Sequence, residues 1–504
     1  MSQLSRTWTA VATLVVTSGL LASSAALAAG YDTPMLYSAR HMGMGGTAIG
    51  DVDDPSAMFH NPAGLAQVKG GAVMADFSPL LGQIQGTPAD TAVSVKSNYA
   101  MSPFFLAAAA YRVTDWLVLG AGVYPVGGAA GGYDYTKNSG KISTVDDAKL
   151  SFVELAPAVA VNFGAFRLGG ELRMTTTSFD RHVINTENGK EIPYIDLEMK
   201  GWGDLGFRLG AQYTAGPFDF GIVYRNRVDS TVKANAGSSH DKYPDYAMDG
   251  ADAVVTGLGA HDVTFQFILP SKFGAGVAYR ATDDLRLAFD FEYTRNSENV
   301  KTAVAGTAMF GPGIPEAAVT LWNYSVWNDS QTYRLGAAYT LGKSELRAGF
   351  AYDTQATNNS FPTAFGTPPG ATTIETLGAG YAITPDLDVS IAGAWRQGSA
   401  TVSQADIDAQ KTQSVDGKTE NWTCAFCGKA GDYSINLFGG YVDVRWRFGE
   451  PAKTVPAVIT APPAAESAPA VEPVPAAQPP VAPAPAVEPA PAVVPVAPAT
   501  VPVG

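Results

Sequence analysis

The feature that most constrains this chain is a two-residue alternation that recurs from about Gly71 to Phe448. In Leu285-Arg286-Leu287-Ala288-Phe289-Asp290-Phe291-Glu292-Tyr293-Thr294, one face carries Leu, Leu, Phe, Phe and Tyr. The other carries Arg, Ala, Asp, Glu and Thr. Val442, Val444, Trp446 and Phe448 likewise oppose Tyr441, Asp443, Arg445 and Arg447. Successive side chains of a strand point to opposite faces, so these segments read as strands with one oily and one polar face. A sandwich also alternates. Here, however, many polar-face residues are charged and the segments run to about ten residues, the length of a strand with one face in lipid and one toward a wet lumen.

Six short clusters of turn formers separate pairs of these segments: Val113-Thr114-Asp115, Phe163-Gly164-Ala165, Thr214-Ala215-Gly216-Pro217, Ala281-Thr282-Asp283-Asp284, Gly342-Lys343-Ser344-Glu345 and Thr384-Pro385-Asp386. Between them lie seven long polar or Gly-rich connections, near 80–98, 127–149, 179–201, 230–261, 298–325, 358–371 and 401–432. Six hairpins plus one strand at each end give about fourteen strands, with short turns at one end and long loops at the other. That is the outer-membrane arrangement, in which the short turns face the periplasm. Lipid offers no partner to a free sheet edge, so the ring must close. The fold class expected is all-β, a transmembrane antiparallel β-barrel of about fourteen strands, wide enough that something must fill or use its interior.

The two ends fall outside this pattern. Met1 to Ala28 reads as a secretory signal peptide: Arg6 supplies the positive start, Val11 to Leu21 the apolar stretch and Ala26-Leu27-Ala28 the cleavage site. From residue 449, and clearly from Glu450 to Gly504, the chain is Pro-, Ala- and Val-rich and holds about half of its 34 prolines. It is expected to be a disordered, polyproline-like periplasmic tail, either a spacer or a tether to a periplasmic or cell-wall partner. Residues 29–70 do not alternate and are of a size to fold into a wide lumen as a hatch, or to lie beneath it as a flap. There, Pro55 with Ser56 to Phe59 suggests one helical turn, which Asn61-Pro62 should stop.

This stretch resembles the FadL/OMPP1/TodX family of outer-membrane transporters for long-chain fatty acids and hydrocarbons. Its Gly-rich Ser38-Ala39-Arg40 to Gly46 and its Asp53-Asp54-Pro55-Ser56-Ala57 to Asn61-Pro62-Ala63-Gly64 carry the likeness. Tyr224 to Val228, Leu269-Pro270, Phe273 to Tyr279 and Leu346 to Asp353 extend it over about residues 30–448. The tail beyond Phe448 departs from it, since such barrels normally end at a terminal aromatic. The resemblance implies capture of a long-chain fatty acid or other apolar small molecule, movement of the hatch, and sideways release into outer-membrane lipid through a gap at a kinked third strand. It also implies that Asn61, Pro62 and Ala63 lie beside that gap, and that the barrel assembly machinery inserts the chain.

The third strand, Trp116 to Gly128, can also be read on its own. Pro125 lacks an N–H and the neighbouring Gly127 and Gly128 bring no side chains, so its ladder should weaken after Tyr124. The alternatives are a window in the wall and a strand that simply ends at its loop. For a carboxylate headgroup, the resemblance places cations on or just after the fifth and ninth strands; Arg181 and Lys301 occupy those positions, with solvated loop charges as the alternative.

Other chemistry finds little support. The charge, 33 − 47 = −14, argues against nucleic acid. No run of about 18 apolar residues follows the N-terminus, so helical spans are not expected. Cys424 and Cys427 suit a local disulfide in an oxidising compartment better than a redox or zinc motif. His41, His60, His182, His240 and His261 show no ligand spacing, Asp51, Asp53 and Asp54 lack the spacing of a calcium loop, and Gly342-Lys343-Ser344 lacks the first Gly of a phosphate loop. No nucleophile elbow occurs, so neither an enzyme nor a cofactor is expected. The alternative function is a general porin, or a structural barrel anchored to the cell wall by its tail.

Overall fold

A computed structural model describes residues 31, 35, 37–244, 250–310, 313–365, 367–412, 414–415, 418–419 and 427–449. The expected signal peptide and tail lie outside the described residues, as do Cys424 and the link expected of it.

Fourteen strands close into one antiparallel ring. They are β1 (Gly71–Gly86), β2 (Ala100–Arg112), β3 (Leu117–Lys137), β4 (Ile142–Phe163) and β5 (Phe166–Glu187). Five interrupted strands follow: β6 (Lys190–Trp202 and Gly206–Ala215), β7 (Phe218–Arg225 and Val228–Ala234), β8 (Leu258–Leu269 and Lys272–Arg280), β9 (Leu285–Thr294 and Lys301–Ala308) and β10 (Ala317–Tyr324 and Ser330–Leu341). The ring ends with β11 (Ser344–Asp353), β12 (Thr372–Ala382), β13 (Leu387–Val402) and β14 (Gly431–Phe448). Closure comes from β1 pairing with both β2 and β14, Gly71 facing Tyr111 on one side and Phe448 on the other. The chain therefore enters and leaves the ring at the end that carries the short turns.

All six expected short turns join neighbouring strands. Three of the expected long connections are corrected; near 298–325, the far segments of β9 and β10 stay paired from Lys301–Tyr324 to Ala308–Ala317. Near 127–149, β3 and β4 stay paired out to Lys137 and Ile142. Near 179–201, β5 and β6 stay paired out to Glu187 and Lys190, closed by Asn188-Gly189 with φ of 53° and 78°. Positive φ at both positions is what a two-residue hairpin turn requires, and Asn-Gly supplies it. β4 and β5 are each 22 residues long. At about 3.3 Å per residue they outrun a hydrocarbon core of about 30 Å, so the far half of this hairpin stands clear of it. The idea that Pro125 ends the third strand is corrected too: β3 continues past it for twelve residues to Lys137.

The alternation separates two surfaces. Outward positions hold Phe77, Leu119, Leu155, Leu209, Phe220, Ile222 (53% exposed), Leu335 (56%), Leu377, Ile391 and Val442. Inward positions on the same strands hold Asp76, Glu154, Glu171, Arg208, Asp219, Asp290, Arg334, Arg347 and Asp443, all buried. Exposed hydrocarbon outside and paired charge inside invert a water-soluble protein and match a lipid-facing wall.

Candidate functional site

The inward charges are spent on the segment that precedes β1. It forms two short helices, α1 (Ala39–Met42) and α2 (Ala57–His60), and a 3-10 helix over Pro62–Gln67. The helical turn expected from Pro55 thus lies at Ala57–His60, and Asn61 in extended conformation stops it. Its backbone N–H groups donate to carboxylates around the ring: Ala39 to Asp76 (3.2 Å, β1), Arg40 to Asp443 (3.1 Å, β14), and Ala48 and Ile49 to Asp290 (2.7 and 3.0 Å, β9). Gly45 donates to the Thr376 hydroxyl on β12 (2.9 Å). Arg286 holds Asp51 at 2.8 Å, and Arg40 and Arg445 hold Asp54 at 3.3 and 3.4 Å. Partners on β1, β9, β12 and β14 surround the segment, so it crosses the interior of the ring.

Glycines in the wall make that crossing possible. A Cβ at Gly349 would lie 2.0 Å from the Gly45 nitrogen, one at Gly221 2.0 Å from the Ile49 oxygen, and one at Gly169 2.2 Å from the Pro62 carbonyl carbon. Burial and the surrounding cations fix the segment's charges. Burial alone would raise the Asp54 carboxyl, but the Arg445 and Arg40 guanidiniums outweigh it and hold the group below its usual range. Burial pushes the His60 imidazole down to about 4, and burial with His60 and Arg40 also lowers His41. Both rings are therefore neutral at pH 7.

The third strand is where the wall changes. β2 and β3 pair from Arg112–Val118 to Ala107–Val123 and no further, although β2 continues along β1 to Ala100 and β3 along β4 to Lys137. The β3–β4 register shifts between Pro125 and Gly127. The chain just before β2 rejoins β3 at Asn98, whose backbone N–H donates to the Gly132 carbonyl (2.8 Å) and whose side-chain amide donates to Asp134 (3.0 Å). Between these points lies a cavity of about 460 Å³, lined by Ala100 to Phe105 on one side and Pro125, Gly128 and Ala129 on the other. Its inner lining includes Leu80, Leu150, Arg396 and Leu437.

Two backbone groups at the bulge, freed from β2, bond to the N-terminal segment. The Gly128 N–H donates to the Tyr31 carbonyl (3.3 Å), and the Tyr37 hydroxyl donates to the Pro125 carbonyl (2.9 Å). Tyr124 points inward beside Tyr37 and Phe59, with ring centroids 6.3 and 5.9 Å away. Its hydroxyl lies 3.3 Å from Glu171 and 3.2 Å from Arg208. Arg208 also donates to Glu171 and to the Met58 carbonyl of α2, and Glu154 pairs with the fully buried Arg173. Bulge, segment and ion cluster therefore share side chains.

Asn61, Pro62 and Ala63 face the next strands round. The Asn61 amide donates to the carbonyls of Ile49 (2.8 Å), Ala211 (3.2 Å) and Ile222 (3.3 Å), while its oxygen accepts from Ala63 N–H (3.2 Å). Flanking residues reach β3: a Cβ at Gly120 would meet Met58 at 2.6 Å and Leu65 at 3.1 Å. Arg181 on β5 is engaged by Asp146 and lies 4.5 Å over the Phe365 ring. Lys301 opens the far segment of β9, 4.8 Å over the Trp322 ring. Cys427 is buried, its sulfur 3.4 Å from the Tyr324 carbonyl oxygen.

One feature was not read from the sequence. Tyr31, Phe152 (β4), Phe179 (β5), Phe265 and Phe267 (β8) and Trp327 converge inside the ring, with centroids 4.8 Å apart for Tyr31–Trp327, 5.8 Å for Tyr31–Phe152 and 5.0 Å for Phe179–Phe267. The available signal was Phe265 and Phe267 on what alternation makes the polar face.

Comparisons with known proteins agree with this architecture. A FadL homologue from Pseudomonas aeruginosa superposes with a TM-score of 0.61 at 15% identity, over 84% of this chain and 100% of that one. The toluene transporter TbuX of Ralstonia pickettii gives 0.55 at 16%, over 83% and 100%, and the toluene transporter TodX of Pseudomonas putida gives 0.57 at 16%, over 83% and 100%. No curated protein matches the chain. The family model for the outer membrane protein transport protein (OMPP1/FadL/TodX) matches residues 19–430. By that match the chain belongs to the OMPP1/FadL/TodX family, outer-membrane β-barrels that transport hydrophobic compounds.

Proposed function

We propose that this barrel takes up long-chain fatty acids or other hydrophobic compounds passively, holds them against its aromatic cluster, and releases them sideways between β2 and β3. The observation that carries this reading is the ladder that stops at Ala107–Val123 beside a cavity of about 460 Å³. Residues 29–70 act as the hatch, and Tyr124, Pro125, Gly127 and Gly128 as the lateral gate. Hatch and gate move together because Tyr31 and Tyr37 bond to the bulge itself. Asn61, Pro62 and Ala63 lock the hatch to β5–β7. Once in the lipid, each methylene gains about 0.8 kcal/mol over water, so the exit step is downhill without added energy.

A carboxylate ligand would need a cation, and in this reading Arg181 and Lys301 supply it, Arg181 exchanging Asp146 for the ligand. The barrel's two ends, Gly71 and Phe448, face the periplasm beside the short turns.

The test is planar-bilayer conductance combined with ligand retention. A barrel that carries no steady current yet co-purifies with fatty acid or binds toluene supports the proposal. A steady open pore with no bound hydrophobic ligand would make it a general porin.

A further inference from the structure

Nearly every lysine or arginine on the inner wall meets a carboxylate. On the outer wall, among the described residues, two lysines without a carboxylate partner stand side by side. Lys200 (β6) and Lys233 (β7) are directly opposite each other in the ladder, both exposed and both on the outward side. Like charges directly opposite on antiparallel strands repel. Among the described residues, neither ammonium has a hydrogen bond or an ion pair. Nearby Lys242 shows the contrast, since Glu198 and Asp196 neutralise it.

The position is also specific. The next outward residue on β6 toward the short turns is Trp202, 66% exposed, an aromatic of the kind that marks the edge of the apolar band. Below it run Leu209 and Tyr213, both outward and exposed. The two lysines therefore stand just beyond the hydrocarbon, at the end away from the short turns. Neighbouring strands continue the row with hydroxyls: Ser178 faces Lys200 and Thr264 faces Lys233. The Thr264 hydroxyl donates to the Ala305 carbonyl (3.3 Å) and the Ser178 hydroxyl is bonded to Ser151 (2.8 Å), so the two ammoniums are the donors the row leaves free.

We propose that Lys200 and Lys233 form a binding site for a phosphate group of the lipid in the outer leaflet. A phosphate offers several acceptor oxygens, and each ammonium offers three donors, so one phosphate can bridge both and cancel their repulsion. A chain with a net charge of −14 gains little attraction to an anionic surface from its total charge. A local cationic pair is then the means of holding such a lipid. The inference rests on the outer-membrane family and not on the route of the transported molecule.

The test uses the full chain in detergent, with native mass spectrometry reading retention of diphosphorylated lipid A. The wild type should hold one molecule, and the Lys200→Gln/Lys233→Gln double variant should lose affinity at least about tenfold. Lys149→Gln, an outward lysine opposite Asp180, should change nothing. Lipid A stripped of phosphate should bind the wild type as weakly as the double variant binds the intact lipid. This arm and the salt dependence of wild-type binding decide the matter even if the double variant fails to fold. Equal retention by the double variant, or of the dephosphorylated lipid, overturns the proposal. So does complete displacement by inorganic phosphate alone at equal concentration, which would make this a site for a soluble anion.

Discussion

Replacing Asn61 with Ala isolates the bond between hatch and wall. The side chain is fully buried, caps the 3-10 helix through Ala63, and donates to the Ile49, Ala211 and Ile222 carbonyls. Ala211 and Ile222 are paired in the β6–β7 ladder and lose little. The Ile49 carbonyl keeps only a 3.3 Å contact from Gln212. Loss of the cap costs about 1 kcal/mol, and an under-satisfied buried carbonyl about 1–2 kcal/mol. The sum, about 2–3 kcal/mol, raises the population of the undocked segment about 30- to 150-fold. The barrel ladder does not involve this side chain and should be unaffected. Hydrogen exchange over residues 44–65 reads the effect, with protection expected to fall by that factor while β11–β14 are unchanged. Equal protection in both proteins would refute the assignment of Asn61 as the lock.

Three further outcomes follow from the same geometry. Gly349→Val places a side chain where a Cβ already lies 2.0 Å from the Gly45 nitrogen, so the barrel should form and residues 43–47 become protease-sensitive; an unchanged digestion pattern would show that the segment does not pass there. Below pH 6.5 a displaced hatch takes up a proton at His60 that the docked hatch, with this imidazole lowered to about 4, does not. The His60 contribution to docking should therefore be at full strength above pH 6.5 and be lost as pH falls to 4, by an amount on the order of 3 kcal/mol, and His60→Gln should reduce the pH dependence of hydrogen exchange across that window, leaving the part that comes from His41. Replacing both Arg181 and Lys301 with Gln should weaken fatty-acid binding by about tenfold or more and leave toluene binding unchanged; equal fatty-acid affinity in the double variant removes both residues from the mechanism.

How much of this could be read from the residues depends on what sets each feature. Alternation and turn chemistry are local, so the ring and all six short turns were legible. The hairpin at Asn188-Gly189 was legible in principle, since Asn-Gly is the strongest signal for a two-residue turn. It was missed because the polar stretch around it resembles a loop until both outward and inward faces are seen to be solvated. The weakness at Pro125 was visible, but the reason β3 survives it was not: its continuation depends on β4, and two backbone groups at its bulge bond to Tyr31 and Tyr37, about 90 residues earlier. The aromatic cluster draws on five distant stretches and has no local signature beyond Phe265 and Phe267. The placing of Asn61, Pro62 and Ala63 against β5 and β6 likewise depends on glycines at 169 and 210, whose spacing in sequence carries no sign of a common partner.

Sideways exit is tested most directly by straightening β3. Deleting Val126, the residue inside the register shift, together with Pro125→Val restores a donor and lets the strand continue its pairing with β2. Hydrocarbon or fatty-acid uptake by cells carrying this barrel is then measured against wild type, with folding checked by heat-modifiable migration and ligand binding measured on the purified protein. The account predicts retained binding and an uptake rate reduced at least about tenfold. Undiminished uptake through a wall shown to be sealed would contradict it.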